Sequence, residues 1–362
     1  GDVYKRQEDT YIEKGMLEDL SGVLKDTDIL SNIKDAYTKE DGSIYTMPVK
    51  FGIPMIEGNK DIIAGITDLT TEADAAESQK DSYGKLQFFS DFSIAPSYLI
   101  QGTIDNSIPA WMNEDGTLNE NAVKEYLEQV NRIWQTQKNA IEETKKAYQM
   151  GDDWADSDHS GYMDISGSVT SLLAKVDTVA AGGLLSPEGL VSLDSARKVD
   201  PDLDYKLLNG QSENCFYPRS AVGVSAKASE KEAAEKFVKF LFEEESQRAS
   251  NTEGLAVNSK VYEDMAYWKM GKSSGDTIGS IGASYDTGDG NIKQIEMDEI
   301  IPEDEAIQNI MDLGKTLTVP AKSNQIIRNA VTESGEKYLN GETGLDDAVK
   351  EIMQEVNLYL SE

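Results

Sequence analysis

At 362 residues, with a hydrophobic fraction of 39% and a mean hydropathy of −0.48, the sequence has room for two domains and reads as a soluble globular protein. Its 66 acidic and 34 basic residues give a net charge of −32, a surface that repels nucleic acid and anionic lipid. No apolar run approaches the ~20 residues of a membrane helix, and the single cysteine, Cys215, excludes an internal disulfide.

Residues 1–7 (GDVYKRQ) hold neither an apolar signal core nor a cleavage site, so the reading expects the true N-terminus to lie outside this sequence. Residues 11–21 (YIEKGMLEDLS) read as a helix end, a stop at Gly15 and an extended piece. Asp41-Gly42 marks a turn, and residues 44–49 (IYTMPV) follow as a strand ended by Pro48. Two more apolar patches lie in residues 51–60, a polar helix is expected from Asp68, and residues 85–89 have strand character. Beyond a Pro and aromatic segment, 91–111, Ala122, Val123, Tyr126, Leu127, Val130 and Ile133 step by three and four, which predicts a long amphipathic helix.

Residues 151–167 form an acidic loop. Residues 169–175 have helical character, and 177–183 (DTVAAGG) a small-residue strand. The stretch 216–249 organises the rest. Residues 221–226 are small and β-branched, as in a strand buried on both faces. Ser229 and Glu232 have the spacing of a capping box, and Ala233, Ala234, Phe237, Val238, Phe240 and Leu241 form one apolar helical face. Residues 271–291, rich in Gly, Ser and Asp, are expected to be a mobile surface loop. Helices are expected at 305–313, 325–338 and 343–360, the last capped by Thr343.

Signals for catalysis are sparse. His159 is the only histidine, so a His-based triad or a multi-His metal site would rest on it alone. Asp156-x-Asp158-x-Ser160-Gly161 begins like a calcium loop, but Gly167 stands where the bidentate Glu belongs. No G-x-S-x-G, Walker loop, G-x-G-x-x-G or C-x-x-C occurs. With so many acids, a glycosidase carboxylate pair cannot be identified by spacing. The reading is of a non-enzyme without metal or cofactor.

Four motifs in order resemble the extracellular solute-binding proteins of family 1, the maltose-binding-protein-like receptors of ABC importers. They are the Gly15–Leu17–Asp19–Leu20 turn, the Asp41–Gly42 to Asn59–Lys60 strand pair, the 216–258 strand and helix with its Gln and Gly-Leu-Ala-Val-Asn (254–258), and the terminal 339–360 helix. The resemblance implies an α/β fold of two periplasmic-binding-protein-like lobes with a ligand cleft between them. Lobe one takes residues 1–60 and 222–265, lobe two 61–221 and 266–362. Lobe one is expected to be incomplete at its N-terminus, with two to three strands and with Phe237, Phe240 or Leu241 partly bared.

The resemblance also implies capture of a small solute, a carbohydrate in the first instance, and delivery to permease subunits by a monomeric receptor that is extracellular or periplasmic. Contact with the membrane would come only through a lipid anchor outside this sequence. A secreted carbohydrate-active enzyme and a surface adhesin of the same fold are the alternatives. The family's sugar binders place aromatics where this chain has Gly182-Gly183-Leu184-Leu185-Ser186 and Pro320-Ala321-Lys322. Aromatics elsewhere then come forward: Phe51, Phe92, Trp111, Trp154 and Tyr217, with Lys50, Asp91, Ser186 and Arg219 as polar partners. The expected ligand contacts are Lys50, Phe51, Asp91, Phe92, Trp111, Ser186, Tyr217 and Arg219.

Overall fold

The computed structural model describes residues 11–12, 14–79, 96–113, 116–147, 169–174, 179–249, 254–286, 292–322 and 324–360. One long strand, β1 (Met47–Asn59), is the element everything else is built on. It is buried along nearly its whole length and has neighbours on both edges. Its first half pairs antiparallel with β4 (Cys215–Val222) and, at Lys50 and Phe51, with β5 (Leu255–Ala256). Its second half pairs with β2 (Val179–Leu184) and β3 (Leu203–Leu207). A short β8 (Val319–Pro320) lies parallel to the start of β4. A separate antiparallel ribbon is formed by β6 (Thr277–Asp286) and β7 (Ile292–Ile300).

Strand periodicity divides the interior at β1. Met47, Phe51, Ile53 and Met55 point to one core, shared with Leu20, Ile33, Phe216, Val238, Phe242 and Trp268. Ile56 turns to another core, built on Leu99, Trp111, Tyr126, Val130, Ala330 and Ile352. The second core is helical: Pro96–Ile104, Glu120–Ala147, Gln325–Leu339 and Leu345–Leu360 lay their three-and-four stripes against each other. Each large side chain removed from water contributes about 1.5–3 kcal/mol, so each core is substantial. Helix Asp304–Thr316, which the sequence reading assigned to lobe two, gives Ile307, Ile310 and Met311 to the first core. A small third core, with Leu172, Ala180, Ala196 and Met297, seats the ribbon.

Several local expectations are corrected. The strand placed at 44–49 begins at Met47 and runs through Pro48 and Pro54. A strand accommodates proline wherever the ladder asks no donor of that residue, and Leu208 N–H donates to the Pro54 carbonyl at 3.1 Å. The strand placed at 221–226 ends at Val222 and is not buried on both faces, since Ser220 and Ala221 are exposed. Helix Lys231–Leu241 starts one residue later than the Ser229 box requires, with Glu230 at the N-cap position and no side-chain cap. Instead of a loop, 271–291 contains β6: alternating Ile, Gly and Ser residues find hydrogen-bond partners in β7, which local composition cannot foretell. Phe237 and Phe240 are 58% and 48% exposed. The expected strand at 85–89 and the acidic loop with Trp154 and His159 lie outside the described residues.

Candidate functional site

The two cores meet where β1, β4 and β8 run side by side. Here Tyr217 stands opposite Gly52 in the ladder, almost fully buried, in a small cluster with Cys215 and Ala321. Two glycines make room for it. A Cβ at Gly183 would lie 3.4 Å from Tyr217 Cδ2 and 3.3 Å from Leu185 Cδ2, and one at Gly52 would overlap Leu185 Cδ2. The backbone of β1 and β2 therefore comes as close to the Tyr217 and Leu185 side chains as a residue without Cβ permits. Burial pushes the Cys215 thiol up to about 12, so it is an inert packing group at neutral pH.

Alternation along β4 puts Arg219 on the same face as Tyr217, directly opposite Lys50. Arg219 is half-buried, whereas Lys50 is 3% exposed and its Nζ donates to the Gln247 carbonyl at 2.6 Å. Desolvation pushes the Lys50 amine down to about 8, because the charged form has lost water. Ser186 caps helix Pro187–Val199 at the end of β2, its Oγ accepting from Gly189 N–H at 3.3 Å. Tyr217, Arg219, Lys50 and Ser186 thus gather at or beside the crossing.

Phe51 and Trp111 sit elsewhere. Phe51 is fully buried in the first core, its ring edge-on to Phe216 at 6.3 Å and tilted against Tyr262 at 5.4 Å. Trp111 is fully buried in the second, edge-on to Tyr126 at 5.0 Å, with Nε1 donating to Gln211 Oε1 at 2.6 Å. Asp91 and Phe92 lie outside the described residues.

Sequence reading missed three parts of this neighbourhood. Leu185 fills the space left at Gly52 and Gly183, its Cδ2 lying 3.3 Å from where a Cβ at Gly183 would stand. Gln247 is fully buried, accepting from Val257 N–H at 2.9 Å and donating to the Val49 and Leu241 carbonyls at 2.9 and 2.8 Å, so it ties helix Glu244–Arg248 to β1, to the end of helix Lys231–Leu241 and to the residue that follows β5. The Asp105–Arg328 ion pair, buried at its acid end, joins the end of helix Pro96–Ile104 to helix Gln325–Leu339. Only Gln247 left a trace in sequence, as the Gln of the third motif. Asp105 and Arg328 are too far apart along the chain to leave a local pattern.

Among the described residues no group of three or more His, Cys, Asp or Glu side chains could hold a metal ion, and no helix is long and apolar enough to cross a membrane.

A family model described as bacterial extracellular solute-binding protein matches residues 3–273. No curated protein matches the sequence at a significant level. Solved structures do. An ABC substrate-binding protein from Listeria monocytogenes in complex with cycloalternan shares 16% identity at a TM-score of 0.53, over 99% of this chain and 83% of that one. An ABC-transporter-associated binding protein from B. animalis subsp. lactis, in complex with beta-1,6-galactobiose, shares 14% identity at 0.54, over 99% and 83%. A solute-binding protein from Agrobacterium vitis with bound D-mannitol shares 12% at 0.53, over 97% and 82%. At such identities the likeness is one of fold.

Proposed function

This chain belongs to the bacterial extracellular solute-binding proteins, and from that premise we propose that it captures a carbohydrate between two lobes and hands it to the permease subunits of an ABC importer. The observation that carries this reading is β1. One strand serves two separate cores, with Met55 in one and Ile56 in the other. A small backbone rotation near Gly52–Pro54, matched in β4 and β8, swings one core against the other without repacking either. A solute that touches both sides lowers the free energy of the closed form alone, and so shifts the population towards it.

In this reading lobe one holds residues up to about 55, helix Pro187–Val199, which gives Leu190 and Leu193 to the first core, and 218–316, and lobe two holds the segments of the second core, 56–79, 96–147, 208–214 and 319–360. That division departs from the one drawn on sequence because helix Asp304–Thr316 packs into the first core. Tyr217, Arg219 and Ser186 are the proposed ligand contacts, with Asp91 and Phe92 as further candidates. Phe51, Trp111 and Lys50 support the site through packing and backbone contacts. Arg219 offers up to five donors to ring hydroxyls. The protein acts outside the cytoplasmic membrane, as a surface-tethered or periplasmic receptor.

Calorimetry over a panel of oligosaccharides and sugar alcohols, with product analysis of the same mixtures, tests the proposal. One solute should bind stoichiometrically and be recovered unchanged, and Arg219→Ala should weaken it tenfold or more, on the order of 1.4 kcal/mol. Steady release of cleaved product would overturn the receptor reading. Undiminished affinity in Arg219→Ala would remove that residue from the site.

A further inference from the structure

Three non-glycine residues among those described take a left-handed backbone: Asn214, Ser220 and Met270, with φ of 54°, 52° and 52°. Two of them stand where chains ordinarily turn. Asn214 immediately precedes β4, and asparagine is among the residue types that tolerate this conformation best. Met270 comes just after helix Met265–Trp268, where Gly271 N–H closes the helix end on the Ala266 carbonyl at 2.9 Å. Ser220 is different, since it lies inside a strand, between Arg219 and Ala221 of β4. A serine with its Cβ in that region costs free energy that an extended residue does not.

The ladder holds Ser220 from both sides. Register between β1 and β4 pairs Met47 with Val222 and Pro48 with Ala221, then Lys50 with Arg219, Phe51 with Pro218 and Gly52 with Tyr217. It passes over Val49 and Ser220. The Val49 carbonyl accepts instead from Gln247 Nε2 at 2.9 Å, so β1 has a partner of its own at the step where β4 leaves the ladder. With paired residues before and after it, Ser220 cannot relax to an extended backbone without disturbing its neighbours, which is the condition under which a strained residue persists. Ser220 is exposed, so the conformation is no by-product of packing its side chain.

A left-handed residue within a strand bends it locally and re-aims the side chain beside it. Here that side chain is Arg219. It stands opposite Lys50, and two cations facing each other across a ladder repel. Lys50 is accommodated by donating from Nζ to the Gln247 carbonyl at 2.6 Å. We propose that the left-handed backbone of Ser220 aims Arg219 from the crossing towards the solute. Ser220 is then a positioning residue, acting through Arg219 and not through its own hydroxyl. The inference rests on the reading of Arg219 as a solute contact and assigns one further residue to that site.

Titration calorimetry on the full chain tests this, using whichever member of a panel of neutral oligosaccharides and sugar alcohols the wild type binds tightest. Ser220→Gly and Ser220→Asn adopt a left-handed backbone readily and should keep the dissociation constant within about twofold of wild type. Ser220→Val, whose branched side chain favours an extended backbone, should raise it on the order of tenfold, with circular dichroism unchanged. In the Arg219→Ala background the same valine should cost less than about twofold, because the side chain it misdirects is gone. A merely structural role would weaken binding equally in both backgrounds. Full affinity in Ser220→Val overturns the proposal, as does an equal loss in both backgrounds, or a loss in Ser220→Gly that matches the loss in Ser220→Val. Wild-type affinity in Arg219→Ala, or a wild type that binds nothing on the panel, removes instead the reading beneath the proposal, and the proposal with it.

Discussion

Replacing Glu72 by glutamine should flatten the dependence of stability on pH. Glu72 lies on helix Leu69–Gln79, is 1% exposed, and its Oε1 has no hydrogen-bond partner among the described residues. Burial, reinforced by the nearby Asp68 charge, raises its carboxyl from 4.5 to about 8. Between those values the folded protein keeps a proton that the unfolded chain releases. Stability therefore falls as pH rises through the window, and is unaffected by this group below the unfolded value. One pH unit is worth about 1.4 kcal/mol, so moving from pH 5 to pH 7 should cost the wild type on the order of 3 kcal/mol through this group. Glutamine cannot ionise and removes that slope. Its orphaned amide adds a pH-independent cost of about 1–3 kcal/mol, which is why the difference between two pH values is the diagnostic quantity. Urea unfolding of wild type and Glu72→Gln at pH 5 and pH 7 supplies it. The gap should move by ~3 kcal/mol in favour of the variant at pH 7. Parallel behaviour of the two proteins would refute the assignment of Glu72 as a buried, protonated acid.

Two further substitutions probe the crossing. Lys50→Met should raise the urea midpoint at pH 7, because the Lys50 ammonium is desolvated without a carboxylate beside it among the described residues. Since its folded value of about 8 lies below the ordinary 10.5, the advantage should shrink as pH rises from 8 and vanish above 10.5, and a constant gap would contradict this. Gly52→Ala forces a methyl into Leu185 and should cost about 1–3 kcal/mol of stability while weakening solute binding. Gly102→Ala, with nothing within 4 Å of the new Cβ, is the matched control and should stabilise slightly, by about 0.4–1 kcal/mol. Equal effects in thermal and binding assays would show that Gly52 is not a tight contact.

The helices of the second core were legible because their signal is local. Val123, Tyr126, Leu127 and Val130 recur with the helical period, and all four are buried as that period requires. Family membership was legible for a related reason: short ordered motifs such as Asp41–Gly42 and the Gln of 216–258 keep their spacing, and Gln247 keeps a structural task. Strands fared worse. β1 was read as two fragments because Pro48 and Pro54 punctuate it, and β6 as a loop because Gly and Ser dominate it. A strand is stabilised by partners that are distant in sequence, so its own composition reports it poorly.

By itself, then, the sequence determined the amphipathic helices, the acidic surface and the family, all of which rest on composition, period or short spacing. Tertiary structure alone decided which residues meet. It set Phe51 and Trp111 into opposite cores, brought Gly52 and Gly183 against Tyr217 and Leu185, and moved helix Asp304–Thr316 to the first core. The reason is physical: burial and packing are properties of pairs of surfaces. Two aromatics with the same local pattern differ only in what the rest of the chain folds against them.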